Sequence, residues 1–524
     1  MRQFKDVLLD KYEEGLTDYW MPPLVAQNGD RPIGRIGDSD TLFLCCRRGE
    51  REIQLTEAFV DGDFPHFERG DLGNLDVVTM VQYHDKFKDI QTAFPPSIPE
   101  NVLGQVLDAH GKRQTLVAES EKQTHVTYFF NGRRGALLPS QEAKIVPSRT
   151  DFAEHPEMRS PEIGDAIVEA LPDSDFVLAN FAAGDVIGHL LDFDVKVRCV
   201  EVIDKAVRKV LDAAASQGFT VLITADHGLI ERGRNEDGSH SIAHTTAPVR
   251  FVAVHEDLKG LGADLMVEGG ALCDVAPTVL EFMGLPVSAE MSGEALLKAP
   301  KAAQGKVLLL VLDGWGIGEQ SKEQNPIYAA TTPAIDGVLA DYPHTAIEAS
   351  GPYVGLPDGR AGNSETGHLT MGAGRVVEQD EVRLRRAIET GFRDNSVMRK
   401  VFARAAEEDR TVHLVGLLSE ASSHGSVEEV FQVGKLAREL GVGKLFLHCI
   451  LDGRSAPPRG AVDLLAKHES ALASLNLVTL VGRGYALDRG RDYIGKTQLV
   501  YNALVSGVGT PCWGLLEAAR ETSC

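Results

Sequence analysis

The sequence has no Cys-x-x-Cys pair, and its seven cysteines (45, 46, 199, 273, 449, 512 and 524) are odd in number and scattered. That speaks against a disulfide framework and fits a reduced, cytoplasmic protein. Long apolar runs are also missing. The longest, Val307 to Leu312, is far too short to span a bilayer, so no membrane partner is expected. There is no basic excess either: the formal charge of −23 argues against a nucleic-acid partner. The opening MRQFKDVLLDKYEEG is charged and lacks an apolar h-region, so no signal peptide is expected. Short internal repeats and low-complexity tracts are absent.

What is present is an ordinary globular composition, 43% hydrophobic and 25% charged, over 524 residues, too many for one ordinary domain. Short apolar strands alternate with amphipathic helices. Phe176–Ala179, Val221–Thr224 and Lys306–Leu312 read as buried strands, and Cys199, Ile203, Ala206, Val207, Val210 and Leu211 recur at helical spacing. Such alternation predicts an α/β sheet with ligands at the carboxyl ends of its strands, where Asp226 and Asp313 stand. The stretch LLKAPKAAQGK (296–306) reads as a linker.

Metal-type ligands lie along the chain at Asp185, His189, Asp226, His227, His244 and Asp313, with Ser364 as a candidate nucleophile. Asp185 and His189 are four apart, which puts both on one face of a helical turn. Asp226-His227-Gly228 follows a strand, and the glycine lets the backbone turn. Imidazole with carboxylate suits Mn, Zn or Fe better than Ca. Taken alone, Asp185/His189 reads more often as a solvated helix face, and Asp226-His227 more often as a cap or turn; together, and ordered with the strands, they weigh against those readings. Ser364, in LPDGRAGNSETGHLTMGAGR, stands at a predicted helix start, where backbone N–H groups favour an attacked phosphate. The same position also suits a plain capping serine. A second group is cationic: Lys122 with His125, Arg48 and Arg51, His424, Arg454, Arg483 and Arg489. Arginine forks grip phosphate and carboxylate, although the ordinary fate of each is a surface ion pair. In so acidic a chain they point to a small anionic substrate.

The segments DGWG (313–316), GLPDGRAGNSETGHLTMGAGRVV (355–377), LDGRSAPP (451–458), ESEKQTHVTYFFNG (119–132), DVIGH (185–189), TADHG (224–228) and AHT (243–245) resemble the cofactor-independent phosphoglycerate mutases of the alkaline phosphatase superfamily. In that family DGWG opens the chain and TADHG lies near its end. The reverse order here resembles a circular permutation, with the linker at about 298–305. The resemblance implies an α/β fold with an alkaline-phosphatase-like central sheet domain and a smaller α/β transferase domain. The first maps to residues 94–377, holding metals and nucleophile. The second, a substrate-binding domain, is split between 1–93 and 378–524, so that Met1 and Cys524 are expected to lie close together.

The resemblance further implies two divalent metal ions, manganese by preference, with Zn, Mg or Co able to share the donors. Asp313, Ser364, Asp226 and His227 match the ligands of one; Asp185, His189 and His244 match those of the other. Ser364 is the implied nucleophile, with Lys122, His424 and Arg454 in catalytic roles. Arg48, Arg51, Arg483 and Arg489 form the implied substrate grip. The activity implied is interconversion of 3- and 2-phosphoglycerate by a cytoplasmic, monomeric enzyme acting on a small phosphorylated acid.

Four departures lie on the acceptor side. Ser455 replaces the Asp of LDGRDTPP, where a general acid or base would act. Ser423-His424-Gly425-Ser426 lacks the second His of VHSH. Gly484 replaces the first Tyr of GRYYAMDR, and Cys46-Arg47-Arg48-Gly49-Glu50-Arg51 stands for NFRADR. They keep open a mutase-like transfer of a phosphoryl or phosphonyl group between other small hydroxy acids, a plain phosphatase, and a catalytically silent metal-binding protein.

Overall fold

Runs of aliphatic and β-branched residues without a polar break fold as strands covered on both faces. Lys306–Leu312 is such a run, and in the computed structural model, which describes residues 3–262, 265–420 and 422–512, it lies inside a sheet. It is flanked in parallel by Phe176–Phe181 and Phe219–Thr224, with Leu308 opposite Val177 and Val221. Gln114–Glu119 and then Gln141–Val146 extend the parallel part on one side. Val249–Val254 adds antiparallel on the other, followed by His344–Glu348 and Gly270–Ala271, to give eight strands. Each Leu or Val buried here contributes about 1.5–3 kcal/mol.

The helix Phe193–Ser216 covers this sheet. Asp192 caps it by accepting the Val195 N–H, and Cys199, Ile203, Ala206, Val207, Val210 and Leu211 form its buried face. The stretch read as a linker is tied to the sheet. Ala303 is buried, its carbonyl accepts from Thr220 Oγ1 at 3.0 Å, and the Gly305 N–H donates to the Phe282 carbonyl at 2.7 Å.

This sheet belongs to a compact unit, Ser97–Val382. A second unit comprises the residues up to Pro96 and from Arg383 onward. Its sheet is assembled from both parts of the chain. Thr41–Leu44 from the N-terminal part lies parallel to Val412–Leu418 from the C-terminal part; Leu445–Leu451 and Leu477–Gly482 follow in parallel. Asp76–Val81 and Gln91–Phe94 continue beyond Thr41–Leu44. Leu24–Asn28 pairs antiparallel with Leu477–Gly482 and parallel with Thr510–Cys512. The expected meeting of Met1 with Cys524 lies outside the described residues.

Each unit has its own apolar core. Among the described residues all six cysteines are free thiols, and no helix is long and apolar enough to cross a membrane.

Candidate metal centre and anion-binding loops

Parallel neighbours end on the same side of a sheet, so whatever follows them is gathered at one rim. In the unit Ser97–Val382, Gln114–Glu119 leads to Lys122, Phe176–Phe181 to Asp185, Phe219–Thr224 to Asp226 and His227, and Lys306–Leu312 to Asp313. Asp185 Oδ1 lies 3.4 Å from His189 Nε2, 3.2 Å from His244 Nε2 and 3.7 Å from His227 Nε2. His227 Nε2 is 3.4 Å from Asp313 Oδ1 and 3.8 Å from Asp226 Oδ2. Ser364 Oγ donates to Asp313 Oδ1 at 3.1 Å and sits 3.1 Å from His227 Nε2. Lys122 Nζ donates to Asp185 Oδ2, Asp313 Oδ1 and Ser364 Oγ at 2.7, 2.9 and 2.7 Å. The structure therefore brings all the ligand-type residues named above into one cluster with Ser364 and Lys122.

Ser364 is not the helix cap. Asn363 caps the helix Ser364–Ala373, accepting the Thr366 N–H at 3.0 Å, and the Ser364 hydroxyl is left for the cluster. Gly228 has an ordinary backbone conformation, so its role differs from the turn expected of it. A Cβ there would meet Thr245 Oγ1 and come within 2.9 Å of Glu231 Oε1. Left-handed backbone occurs instead at Gly314 (φ +75°), next to Asp313.

Burial pushes the Asp185 carboxyl up, but His189 and His244, with Lys122 and His227, hold it far below the usual range. Burial lowers His227, and the Asp226, Asp313 and Asp185 carboxylates outweigh it, lifting the imidazole to about 9. Burial, with His368 and Lys122 nearby, lowers His125 to about 4 and keeps it neutral. Asp185 Oδ1 and Asp226 Oδ2 are buried without a hydrogen-bond partner. Buried carboxylate oxygens left unbonded while imidazole nitrogens converge on them are shaped for a cation. The groups Asp185/His189/His244, Asp185/His227/Asp313 and Asp226/Asp313/His368 each offer three donor atoms close enough to share one ion, and they fit divalent metal binding.

The sequence reading did not single out His368 or Asn180. His368 Nδ1 is 3.2 Å from Asp226 Oδ2, and Asn180 Nδ2 donates to Asp313 Oδ2 at 2.8 Å. A signal for His368 existed: it stands four residues after Ser364, the helical spacing already noted for Asp185 and His189. Asn180 sits inside a buried strand, where nothing in the sequence marks it.

The second unit repeats the rim principle with cations. Arg51 lies among Arg489, Arg483 and Arg454; burial and these three like charges lower its pKa, opposed by Tyr19. Arg483, buried, is ion-paired with Asp452. Arg48 reaches Ser423 Oγ at 3.5 Å, beside the buried His424. Arg47 joins that same loop, through the Ser422 carbonyl (2.7 Å), to Glu429 of the helix that follows it (2.6 Å). Ser455, exposed, donates its N–H to Asp452 Oδ2 at 3.2 Å. Ser426, where the family has its second His, caps the helix Val427–Glu439 in a reciprocal box with Glu429.

Glu52 follows Arg51 and is fully buried, with neither carboxyl oxygen in a well-formed hydrogen bond. Burial pushes it from 4.5 up to about 7, the Cys46 thiol drawing it part of the way back. A carboxyl raised in the folded state contributes stability below its unfolded pKa that is lost as pH rises through the folded one. Glu52→Gln is therefore expected to gain on the order of 3 kcal/mol relative to the parent chain between about pH 4.5 and pH 8. Urea unfolding at both pH values checks this; a difference independent of pH contradicts it.

Gly484 has a steric reason. A Cβ there would lie 2.6 Å from the Trp20 ring and 2.7 Å from the Tyr19 carbonyl. Gly482 and Gly453 likewise leave room for the turn Asp18–Trp20, which is threaded against the loops bearing Arg483 and Arg454. Trp20 packs edge-on against Tyr19 and Tyr485 at 4.9 and 5.6 Å. Gly484→Ala is expected to cost about 1–3 kcal/mol in urea unfolding. Adding Trp20→Ala recovers only part of it, because the Tyr19 carbonyl stays; full recovery would show the ring to be the sole obstacle.

Residues 28–287 match the family model described as the metalloenzyme superfamily, and residues 384–522 match the one described as the BPG-independent PGAM N-terminus. A 2,3-bisphosphoglycerate-independent phosphoglycerate mutase of Salinibacter ruber is 40% identical over 301 residues, 56% of each chain. That of Moorella thermoacetica is 37% identical over 290 residues, 55% of each. The chain spans about half the length of the curated relatives it matches. Among solved structures, one described as Leishmania mexicana phosphoglycerate mutase at low cobalt concentration is 28% identical, with a TM-score of 0.39, over 52% of this chain and 53% of that one. The chain is similar to the metalloenzyme superfamily over residues 28–287, and to the BPG-independent phosphoglycerate mutases over about half their length.

Proposed function

We propose that this chain is a two-metal phosphotransferase that interconverts 3-phosphoglycerate and 2-phosphoglycerate through a phosphoserine at Ser364. One observation carries the reading: a buried serine hydroxyl at a helix N-terminus lies within 3.1 Å of Lys122, Asp313 and His227 together. The names of the relatives support the substrate.

Asp185, His189 and His244 are assigned to one metal. Asp313, Asp226, His227 and Ser364 are assigned to the other, with His368 beside them. Manganese is the proposed ion. Such ions, when bound, screen the phosphate's charge and favour the ionised serine. The Ser364 oxygen attacks phosphorus, the bond to the glycerate oxygen breaks, and that oxygen takes a proton. Lys122 and the helix N-terminal N–H groups stabilise charge on the transferring oxygens. The glycerate's other hydroxyl then loses its proton and attacks phosphorus, the Ser364 Oγ–phosphorus bond breaks, and the serine oxygen regains a proton. Arg51, Arg454, Arg483 and Arg489, with Arg48 and His424, are assigned the grip on carboxylate and phosphate.

Residues 94–377 are proposed as the metal and nucleophile domain, and 1–93 with 378–524 as the substrate domain, in circularly permuted family order. A monomer in the cytoplasm fits this reading. Incubation with 3-phosphoglycerate and manganese tests it: 2-phosphoglycerate is expected, and its absence overturns the substrate assignment.

Ser455 and Gly484, over which the Trp20 ring packs, favour a second reading, in which the transferring half is kept and the acid differs. Serine cannot act as the carboxylate would at neutral pH. A panel of small phosphorylated and phosphonylated hydroxy acids separates the two readings. Transfer with one of those acids and none with 3-phosphoglycerate selects the second.

A further inference from the structure

Glu231 is a buried carboxylate, 3% exposed, that the scheme above does not use. Its Oε2 accepts the Leu229 N–H at 2.7 Å and the Gly316 N–H at 3.1 Å. Its Oε1 accepts the Thr245 hydroxyl. These three donors sit in three separate loops. Leu229 is two residues from His227, Gly316 three from Asp313, and Thr245 next to His244. Backbone bonds run between the same loops, from Thr245 N to the Gly228 carbonyl and from Ile230 N to the Gly314 carbonyl, each 2.9 Å.

The glycines around Glu231 leave its carboxyl room. A Cβ on Gly316 would lie 2.5 Å from Glu231 Cδ, and one on Gly318 2.7 Å from the Glu231 carbonyl oxygen. A side chain that satisfies three loops at once sets the spacing of the ligands those loops carry.

We propose that Glu231 is a positioning residue. It joins the three ligand-bearing loops and fixes the spacing of His227 and Asp313, assigned to one divalent cation, against His244, assigned to the other. The inference rests on the metal-site reading and not on the identity of the substrate. Glutamine preserves the arrangement, since its carbonyl oxygen accepts the two N–H groups and its amide donates to the Thr245 oxygen. Alanine leaves two buried N–H groups without a partner.

The test titrates Mn2+ calorimetrically into the full chain after chelator treatment, for the parent protein, Glu231→Gln, Glu231→Ala and Thr245→Val, and records the electron paramagnetic resonance of the bound ion. Glu231→Ala is expected to weaken Mn2+ binding about 10–100-fold and to broaden the spectrum. Glu231→Gln is expected to stay within a few-fold of the parent with its spectrum kept, and Thr245→Val to weaken binding several-fold. Equal affinity in the alanine and parent proteins overturns the proposal. So does a glutamine variant as weak as alanine, which would make charge, not hydrogen-bond geometry, the agent. Should Glu231→Ala fail to fold, Glu231→Gln and Thr245→Val decide: parent-like glutamine with weakened valine supports it, and any other pair overturns it. A parent protein that binds no Mn2+ sinks the metal reading, a separate result.

Discussion

Ser364→Ala is expected to lower kcat for phosphoryl transfer by about 10^4-fold or more, with KM little changed. The reason is local. The Ser364 hydroxyl is the group held jointly by Lys122 Nζ (2.7 Å), Asp313 Oδ1 (3.1 Å) and His227 Nε2 (3.1 Å), so alanine leaves the cluster without the oxygen proposed to accept phosphorus. The variant will fold, because Asn363 and not Ser364 caps the helix, and alanine is a better helix former than serine. A rapid quench with substrate followed by trypsin gives a direct readout. Arg360 and Arg375 bracket a peptide, 361–375, that carries Ser364, Thr366 and Thr370. One added phosphoryl group, located on Ser364 by fragmentation and absent from the alanine variant, is the expected result. Full activity in the variant would falsify the covalent route.

Lys122→Met is expected to destabilise the metal-stripped protein by about 3–5 kcal/mol, the cost of breaking a buried ion pair from one side. Its ammonium, 4% exposed, bonds two carboxylates that are 12% and 0% exposed. Burial lowers its pKa, yet Asp313, Asp185 and Asp226 outweigh that and hold it above the usual lysine range. Methionine fills much of the same volume but leaves those carboxylates facing one another. Divalent cations supply the missing positive charge, so saturating Mn2+ is expected to stabilise the variant more than the parent. Urea unfolding with chelator and with Mn2+ measures both effects. Activity is expected to fall about 10^2–10^3-fold even when metal is supplied, since the cation proposed to stabilise the transferring oxygens is gone. An unchanged stability of the stripped variant would mean the carboxylates are protonated or solvated, contrary to their burial.

The strands that carry the cluster were legible because strands covered on both faces leave an unbroken apolar run. Val307–Leu312, Phe176–Ala179 and Val221–Ile223 show one inside the strands Lys306–Leu312, Phe176–Phe181 and Phe219–Thr224. The buried face of Phe193–Ser216 was legible from its period. Spacing exposed Asp185 with His189, and the same rule would have exposed His368. Asn180 and Glu231 were not legible. One is a polar residue within an apolar strand, and the other is a glutamate followed by Arg-Gly-Arg that reads as a solvated loop. Gly228 was read for the wrong property: what it provides is space for Thr245 and Glu231, which only their approach reveals. Gly484 showed as a departure, but its cause, the Trp20 ring and the Tyr19 carbonyl, lies more than four hundred residues away in the chain.

By itself the sequence determined the chemistry available: which donors, which nucleophile and which cations exist, and that apolar runs alternate with helices to form a layered α/β protein. Side-chain type and local period are written residue by residue, so they can be read without a fold. Tertiary structure alone decided which oxygens end up buried without a partner, that Lys122 is shared by Asp185, Asp313 and Ser364, and that one glutamate ties three ligand loops together. Those outcomes depend on which strands become neighbours and on how closely loops approach, and a linear chain carries neither distance nor burial.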